Sequence, residues 1–274
     1  MKKSYNIVGA CWSNTNNGNK GYSIHRKEGK YVEWHENGEN LETFYLDHSI
    51  PRAFDDDKSI KKYAWLYEPP HIYPEIYEDM KRNYLHYIRI YDAIFMNVQC
   101  DELLSLHKKF KQVYQYGTWI LTPKIYEKTK LVSMISSNIL MCEGHKRRLE
   151  WVKKLKDKLD FYGRGFNYIE NKEDGLRDYM FSVAIENESC LGYFSEKIQD
   201  CFATGTIPIY YGAPDIGKFF NPNGIITLTD DFDISMLTEE LYHSKMDAIK
   251  ENYEIVQESL IVDDYLYKTY LEEK

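Results

Sequence analysis

Between residues 185 and 212 the chain reads IENESCLGYFSEKIQDCFATGTIPIYYG, and several of its side chains have the types and spacing that chemistry requires. Glu186, Asn187 and Glu188 crowd together, and Glu196 and Lys197 follow just before an apolar run closed by Gly212. A glutamate in the first turn of a helix suits the dipole and can accept sugar hydroxyls, while a lysine there reaches a phosphate as a point charge. A second set is the basic run His145-Lys146-Arg147-Arg148, at the start of a predicted helix. Cations there oppose the macrodipole, yet free backbone N–H groups and a guanidinium can converge on a phosphate. The alternative is a solvated basic face; the position directly after a strand favours phosphate. Arg148 and Lys197 together can neutralise a diphosphate. A third candidate is Glu68 in WLYEPP, held at a strand end because Pro69 and Pro70 stop the strand. A carboxylate placed there can serve as a general base if burial tunes its pKa, and otherwise it is a surface residue before a turn.

These groups need elements to position them. YNIVGACW (5–12) predicts a strand, and NTNNGNKGY after it a polar loop. Strands are expected over 62–70, 92–98 and 111–117, with helices over 74–91, which has Pro74 near its start, and 101–110. After a crossover at 118–130 the alternation restarts. Strands are expected at 130–137, 160–165, 180–187, 206–212 and 224–228, with helices at 144–159, 171–179 and 193–205, the last ending at Gly205. The tail from Asp233 reads as helical. Strands alternating with helices predict α/β with parallel sheets, and ligands in such sheets lie beyond the carboxyl ends of the strands. The expected domains are 1–125, an acceptor-side Rossmann-like domain, and 126–274, a donor-binding one.

Composition excludes several classes. The net charge of −8 gives no global field for nucleic acid, so none is expected as a partner. Five scattered cysteines show no CxxC and no Cys/His metal spacing, which fits reduced thiols and a cytoplasmic location. No stretch approaches the roughly 20 apolar residues of a membrane span, so contact with a membrane is expected only peripherally, through the acceptor. GxGxxG after the first strand, GxxxxGK[ST], HExxH and GxSxG are all missing, and no metal site is expected. The 25 tyrosines suit sugar binding, but a chain rich in Tyr, Lys, Ile and Asn together gains them from base composition alone.

Ile185-Glu186-Asn187, Tyr193-Phe194-Ser195-Glu196-Lys197 and Gly205-Thr206-Ile207-Pro208-Ile209 together closely resemble the signature of the α-1,3-fucosyltransferases, glycosyltransferase family 10. VSMISSN (132–138), Arg148, FYGRG (161–165) and FFNPNGII (219–226) are similar to further parts of that family's pattern. The resemblance is strong over about 130–228 and weak over the first 120 residues. It implies a GT-B fold, two Rossmann-like domains facing a central cleft, and inverting transfer of fucose or a related sugar from a GDP-sugar to a glycan hydroxyl. No cofactor or metal is implied beyond the donor. By the same resemblance Arg148 and Lys197 would hold the diphosphate and Glu196 the ribose. Asn187 and Tyr193 would line the donor pocket with Glu186 at its base, and Glu68 would be the catalytic base. Ile185 in place of the family's usual aromatic, Glu188 before the serine and Ser195 in place of threonine leave the sugar open. Two other readings stand beside this one. Glu188 and Glu196 have the Glu-x7-Glu spacing of retaining GT-B transferases, and a non-catalytic nucleotide-sugar-binding protein needs only the donor pocket.

Overall fold

Parallel strands buried on both faces carry near-continuous apolar runs, and the chain forms two sheets from such runs. The computed structural model describes residues 2–9, 28–36, 41–140 and 142–272. The chain divides into two units. The first takes 1–115, 191–193 and 260–274; the second takes 116–190 and 194–259.

The first unit contains β1 (Lys3–Val8), β2 (Val32–His35), β3 (Glu42–Leu46), β4 (Lys61–Leu66), β5 (Ala93–Met96) and β6 (Phe110–Gln112), all parallel, in the order β2-β1-β3-β4-β5-β6. Helix α1 (Pro74–Ile90) has its proline in the first turn, where the missing N–H costs nothing, and α2 (Asp101–Leu106) follows β5. The interior is aromatic. Phe44 meets Tyr63 at 4.6 Å, Trp34 at 5.0 Å and Tyr5 at 5.2 Å between ring centroids. Many tyrosines thus build this core and tie off their hydroxyls: Tyr63 donates to Glu42, Tyr87 to Asp79 and Tyr91 to the Ile50 carbonyl.

The second unit contains β7 (Lys130–Ile135), α3 (Glu143–Leu155), β8 (Asp160–Tyr162), β9 (Tyr179–Ile185), α4 (Glu196–Thr204), β10 (Ile207–Tyr211), β11 (Ile226–Thr227), α5 (Glu239–Ser244) and α6 (Met246–Glu258). Its sheet is parallel in the order β11-β10-β9-β7-β8. Trp151 and Leu155 of α3 and Ile249 of α6 pack with Val132, Phe181, Val183, Ile207 and Ile209 of the strands. Because β8 pairs outside β7, the strand order reverses between β7 and β9. Open parallel sheets bind ligands at the carboxyl ends beside such a reversal.

The α/β expectation therefore holds, with corrections. Strands β2 and β3 were not expected; β3 is largely buried and central, so it lacks the alternation that marks a half-exposed strand. The helix expected over 101–110 stops at Leu106, which frees Phe110 to pair with Ile94 in β6. That over 171–179 is a single 3-10 turn, Lys172–Gly175. Residues 10–12 of the first expected strand and the loop after it lie outside the described residues. The chain's end also differs from the expected 126–274 domain. Helix α7 (Val262–Leu266) belongs to the first unit, where the Asp264 carboxylate accepts from the amides of Lys30 (2.7 Å), Tyr31 (2.8 Å) and Val32 (3.3 Å). No helix among the described residues is long and apolar enough to cross a membrane.

Candidate functional site

At the reversal in the second sheet, the end of β9 meets the first turns of two helices. Ser195 caps α4: its side chain accepts from the Lys197 amide at 3.3 Å, satisfying one of the helix's free donors. At the other end Gly205 closes α4 in the left-handed conformation (φ 72°), as expected of a C′ glycine. Helix α3 begins against the β9 end, where the Gly144 amide donates to the Asn187 carbonyl at 3.1 Å. A Cβ on Gly144 would lie 2.1 Å from the Glu186 carbonyl oxygen and 2.5 Å from that of Asn187, so only glycine permits this approach.

Glu186 is fully buried, and both of its carboxylate oxygens are engaged. One accepts from the Ser195 amide at 2.8 Å; the other accepts from the Ser195 hydroxyl at 2.6 Å and lies 3.3 Å from the Lys197 ammonium. Lys197 also donates to the Ser195 hydroxyl oxygen at 2.9 Å. A buried carboxylate is thus matched to an amide, a hydroxyl and an ammonium, which is how a charge survives out of water. Arg148, itself buried, donates to the Asn187 side-chain carbonyl. His145, in the first turn of α3, has its pKa pushed down to about 4, by burial and by the Arg148 and Lys197 cations.

A second charge cluster adjoins the first. Lys172 lies 2.8 Å from Glu196 and 3.1 Å from Asp200, with its ammonium 4.4 Å from the Trp119 ring centroid. Asp200 is buried and accepts from the Thr118 hydroxyl at 2.6 Å and the Trp119 amide at 2.7 Å. Burial works against the Lys172 charge, but the Glu196 and Asp200 carboxylates outweigh it and raise the lysine's pKa. Burial likewise lifts the Asp200 carboxyl above the usual range, although Lys172 opposes that shift.

The geometry thus brings Arg148, Glu186, Asn187, Glu196 and Lys197 together in the second unit. Glu188 is half-buried on the loop after β9. Tyr193 is buried and falls, with Leu191 and Gly192, in the first unit. Glu68 also lies in the first unit, partly buried just beyond β4. Lys172, Asp200 and the capping role of Ser195 were missed. A serine before a first-turn glutamate is a cap signal, whereas nothing in the sequence around Lys172 points to Glu196.

Residues 125–255 match the family model for the C-terminal domain of glycosyltransferase family 10 (fucosyltransferase). The resemblance to glycosyltransferase family 10 therefore holds over residues 125–255, which include this site. Curated relatives agree within short stretches. The alpha-(1,3)-fucosyltransferase FucT of Helicobacter pylori is 41% identical over 66 residues, which is 24% of this chain and 14% of that protein. Alpha-(1,3)-fucosyltransferase B of Drosophila melanogaster is 46% identical over 48 residues, 18% of this chain and 11% of that protein. The matched stretches span well under two thirds of either relative. A crystal structure of an alpha1,3-fucosyltransferase superposes with a TM-score of 0.53 at 15% identity, covering 97% of this chain and 86% of that one. At such identity the likeness speaks for the fold alone: α/β of the GT-B class, with two Rossmann-like units.

Proposed function

We propose that this chain is a glycosyltransferase that moves fucose, or a closely related sugar, from a GDP-sugar to a hydroxyl of a glycan acceptor with inversion. The observation that carries the reading is the cation pair Arg148 and Lys197 at the switch point of the second sheet, anchored by Asn187 and buried Glu186. It lies inside the stretch that matches the family model.

In this reading Arg148 and Lys197 stabilise the diphosphate as it leaves. Glu196, oriented by Lys172, accepts the ribose hydroxyls. Asn187 and Tyr193 shape the sugar pocket, and Glu186 acts from beneath by fixing Lys197. Glu68 is the base. The acceptor oxygen bonds to the anomeric carbon and its proton passes to Glu68, while the bond to the diphosphate breaks and GDP leaves with the electron pair. The cation pair gives the leaving group its counter-charge, so the reading calls for no resident cofactor, and donor binding should persist in EDTA.

The test is calorimetric titration with GDP, followed by a hydrolysis screen of GDP-fucose, GDP-mannose and UDP-sugars. Arg148→Ala and Lys197→Ala should each weaken GDP binding by roughly tenfold or more, as expected for a lost charge-assisted contact of about 1.5–3 kcal/mol. Normal binding by both variants would remove the diphosphate assignment. No binding of any nucleoside diphosphate would end the reading altogether.

A further inference from the structure

The first sheet has a reversal of its own, between β1 and β3, because β2 pairs outside β1. Asp47 follows β3 directly at that point. Among the described residues it is the one non-glycine with a positive φ, 42°. An L residue with a Cβ pays for that conformation and keeps it only where surrounding contacts over-determine it, and such positions cluster at functional sites. The contacts here are specific. The Asp47 side chain is buried, and its Oδ1 accepts from the Tyr67 amide at 2.8 Å and the Glu68 amide at 3.2 Å. From α1, the Tyr77 hydroxyl donates to the Glu68 carbonyl at 3.0 Å. The main chain of Glu68 is therefore gripped at both its N–H and its C=O, just past the end of β4 and ahead of Pro69-Pro70.

We propose that Asp47, with Tyr77, is a positioning residue that fixes the peptide on which Glu68 is mounted. Its strained backbone is then the means by which a carboxyl oxygen is brought under two successive amides. This rests on the reading of Glu68 as the base. Burial, with the Glu68 charge added, holds the Asp47 carboxyl well above the usual carboxylate range. An asparagine keeps a side-chain carbonyl oxygen to accept from the same two amides, and it tolerates the left-handed region better than most residues.

The experiment uses the full chain with GDP-fucose as donor and water as acceptor, scored by GDP release, with GDP affinity measured in parallel. Glu68→Gln should cut kcat at least a hundredfold. Asp47→Gly relieves the backbone but deletes the acceptor. It should cut kcat tenfold or more while the Kd for GDP stays within twofold. Asp47→Asn restores the acceptor and should recover most of what the glycine variant loses. If Asp47→Gly fails to fold, Tyr77→Phe carries the test: kcat should fall at least threefold with GDP affinity unchanged. The inference alone is overturned if Glu68→Gln is inactive while Asp47→Gly or, in its place, Tyr77→Phe retains wild-type kcat. It is equally overturned if Asp47→Asn falls as far as Asp47→Gly. An active Glu68→Gln overturns both the base assignment and the inference, and no GDP release by the wild-type chain removes the proposed function beneath them.

Discussion

Replacing Lys172 by methionine tests whether charge pairing holds the candidate site in shape. The methionine keeps much of the apolar stem that lies over Trp119 but removes the cation between Glu196 and Asp200. Asp200 is left buried, its Oδ1 still accepting from the Thr118 hydroxyl and the Trp119 amide. Breaking one partner of a buried ion pair typically costs about 3–5 kcal/mol. The surviving hydrogen bonds and the partial exposure of Lys172 bring this case to or just below the lower end, about 2–3 kcal/mol at neutral pH. The sign of its pH dependence follows from Asp200. Burial already raises that carboxyl, and without Lys172 it rises further. A carboxyl whose folded pKa exceeds its unfolded value contributes stability that is full below the unfolded pKa and lost as pH rises through the folded one. The deficit of Lys172→Met should therefore be small near pH 4 and largest above pH 7. Urea unfolding followed by far-UV circular dichroism at several pH values measures it. The double variant Lys172→Met/Asp200→Asn should recover more than half of the loss. A single variant within about 0.5 kcal/mol of wild type at pH 7.5, or a double variant no better than the single, would refute the reasoning. Where Glu196 binds ribose, Lys172→Met should also weaken GDP about five- to tenfold.

Glu186→Gln keeps an acceptor for the Ser195 amide but turns an N–H₂ toward the Ser195 hydroxyl and the Lys197 ammonium. It should lower stability by about 2–3 kcal/mol and weaken GDP tenfold or more, read by thermal unfolding and calorimetry; unchanged GDP affinity would show that Lys197 does not depend on Glu186. Asp263 in α7, beside Trp34 in the first unit, has its pKa raised from 3.8 to about 6 by burial, with the Asp264 charge adding to the shift. Its contribution is full below about pH 3.8 and lost as pH rises through about 6, an upper limit of roughly 3 kcal/mol at 1.36 kcal/mol per pKa unit. Asp263→Asn should therefore gain stability relative to wild type between pH 4 and 7.5 in urea titrations, and a gap independent of pH would contradict the assigned shift.

How far the sequence discloses this molecule depends on the distance over which each feature is encoded. Strands β9 and β10 and the stop of α4 are written in consecutive residues: an apolar run, and Gly205 after Thr204. They were legible for that reason, whereas the Ser195 cap, equally local, was missed inside a helix expected from residue 193. Strands β2 and β3 were passed over. They are short, and β3, central and largely buried, lacks alternation. The return of α7 to the first unit depends on Asp264 meeting three amides more than 230 residues earlier in the chain, and no local pattern reports such a pairing.

The same rule separates the parts of the candidate site. Asn187, Glu196 and Lys197 follow a strand or open a helix and Arg148 lies near a helix start, so strand–loop–helix order placed them toward the carboxyl ends of the strands, where the second sheet proves to reverse. Their supports come from elsewhere in the chain. Lys172 reaches Glu196 from an unrelated turn, and Asp47 reaches the Glu68 amide across 21 residues. A carboxylate or an ammonium can be recognised as chemically able from its type and its place at an element's end. What holds it in one orientation is a buried partner supplied by tertiary packing, and that partner has no reason to stand near it in sequence. Glu186 shows the exchange of roles that results. In the sequence it is one acid among several at the head of a loop; in the fold its carboxylate is spent on Ser195 and Lys197, so its action on any ligand is exerted through the lysine it holds.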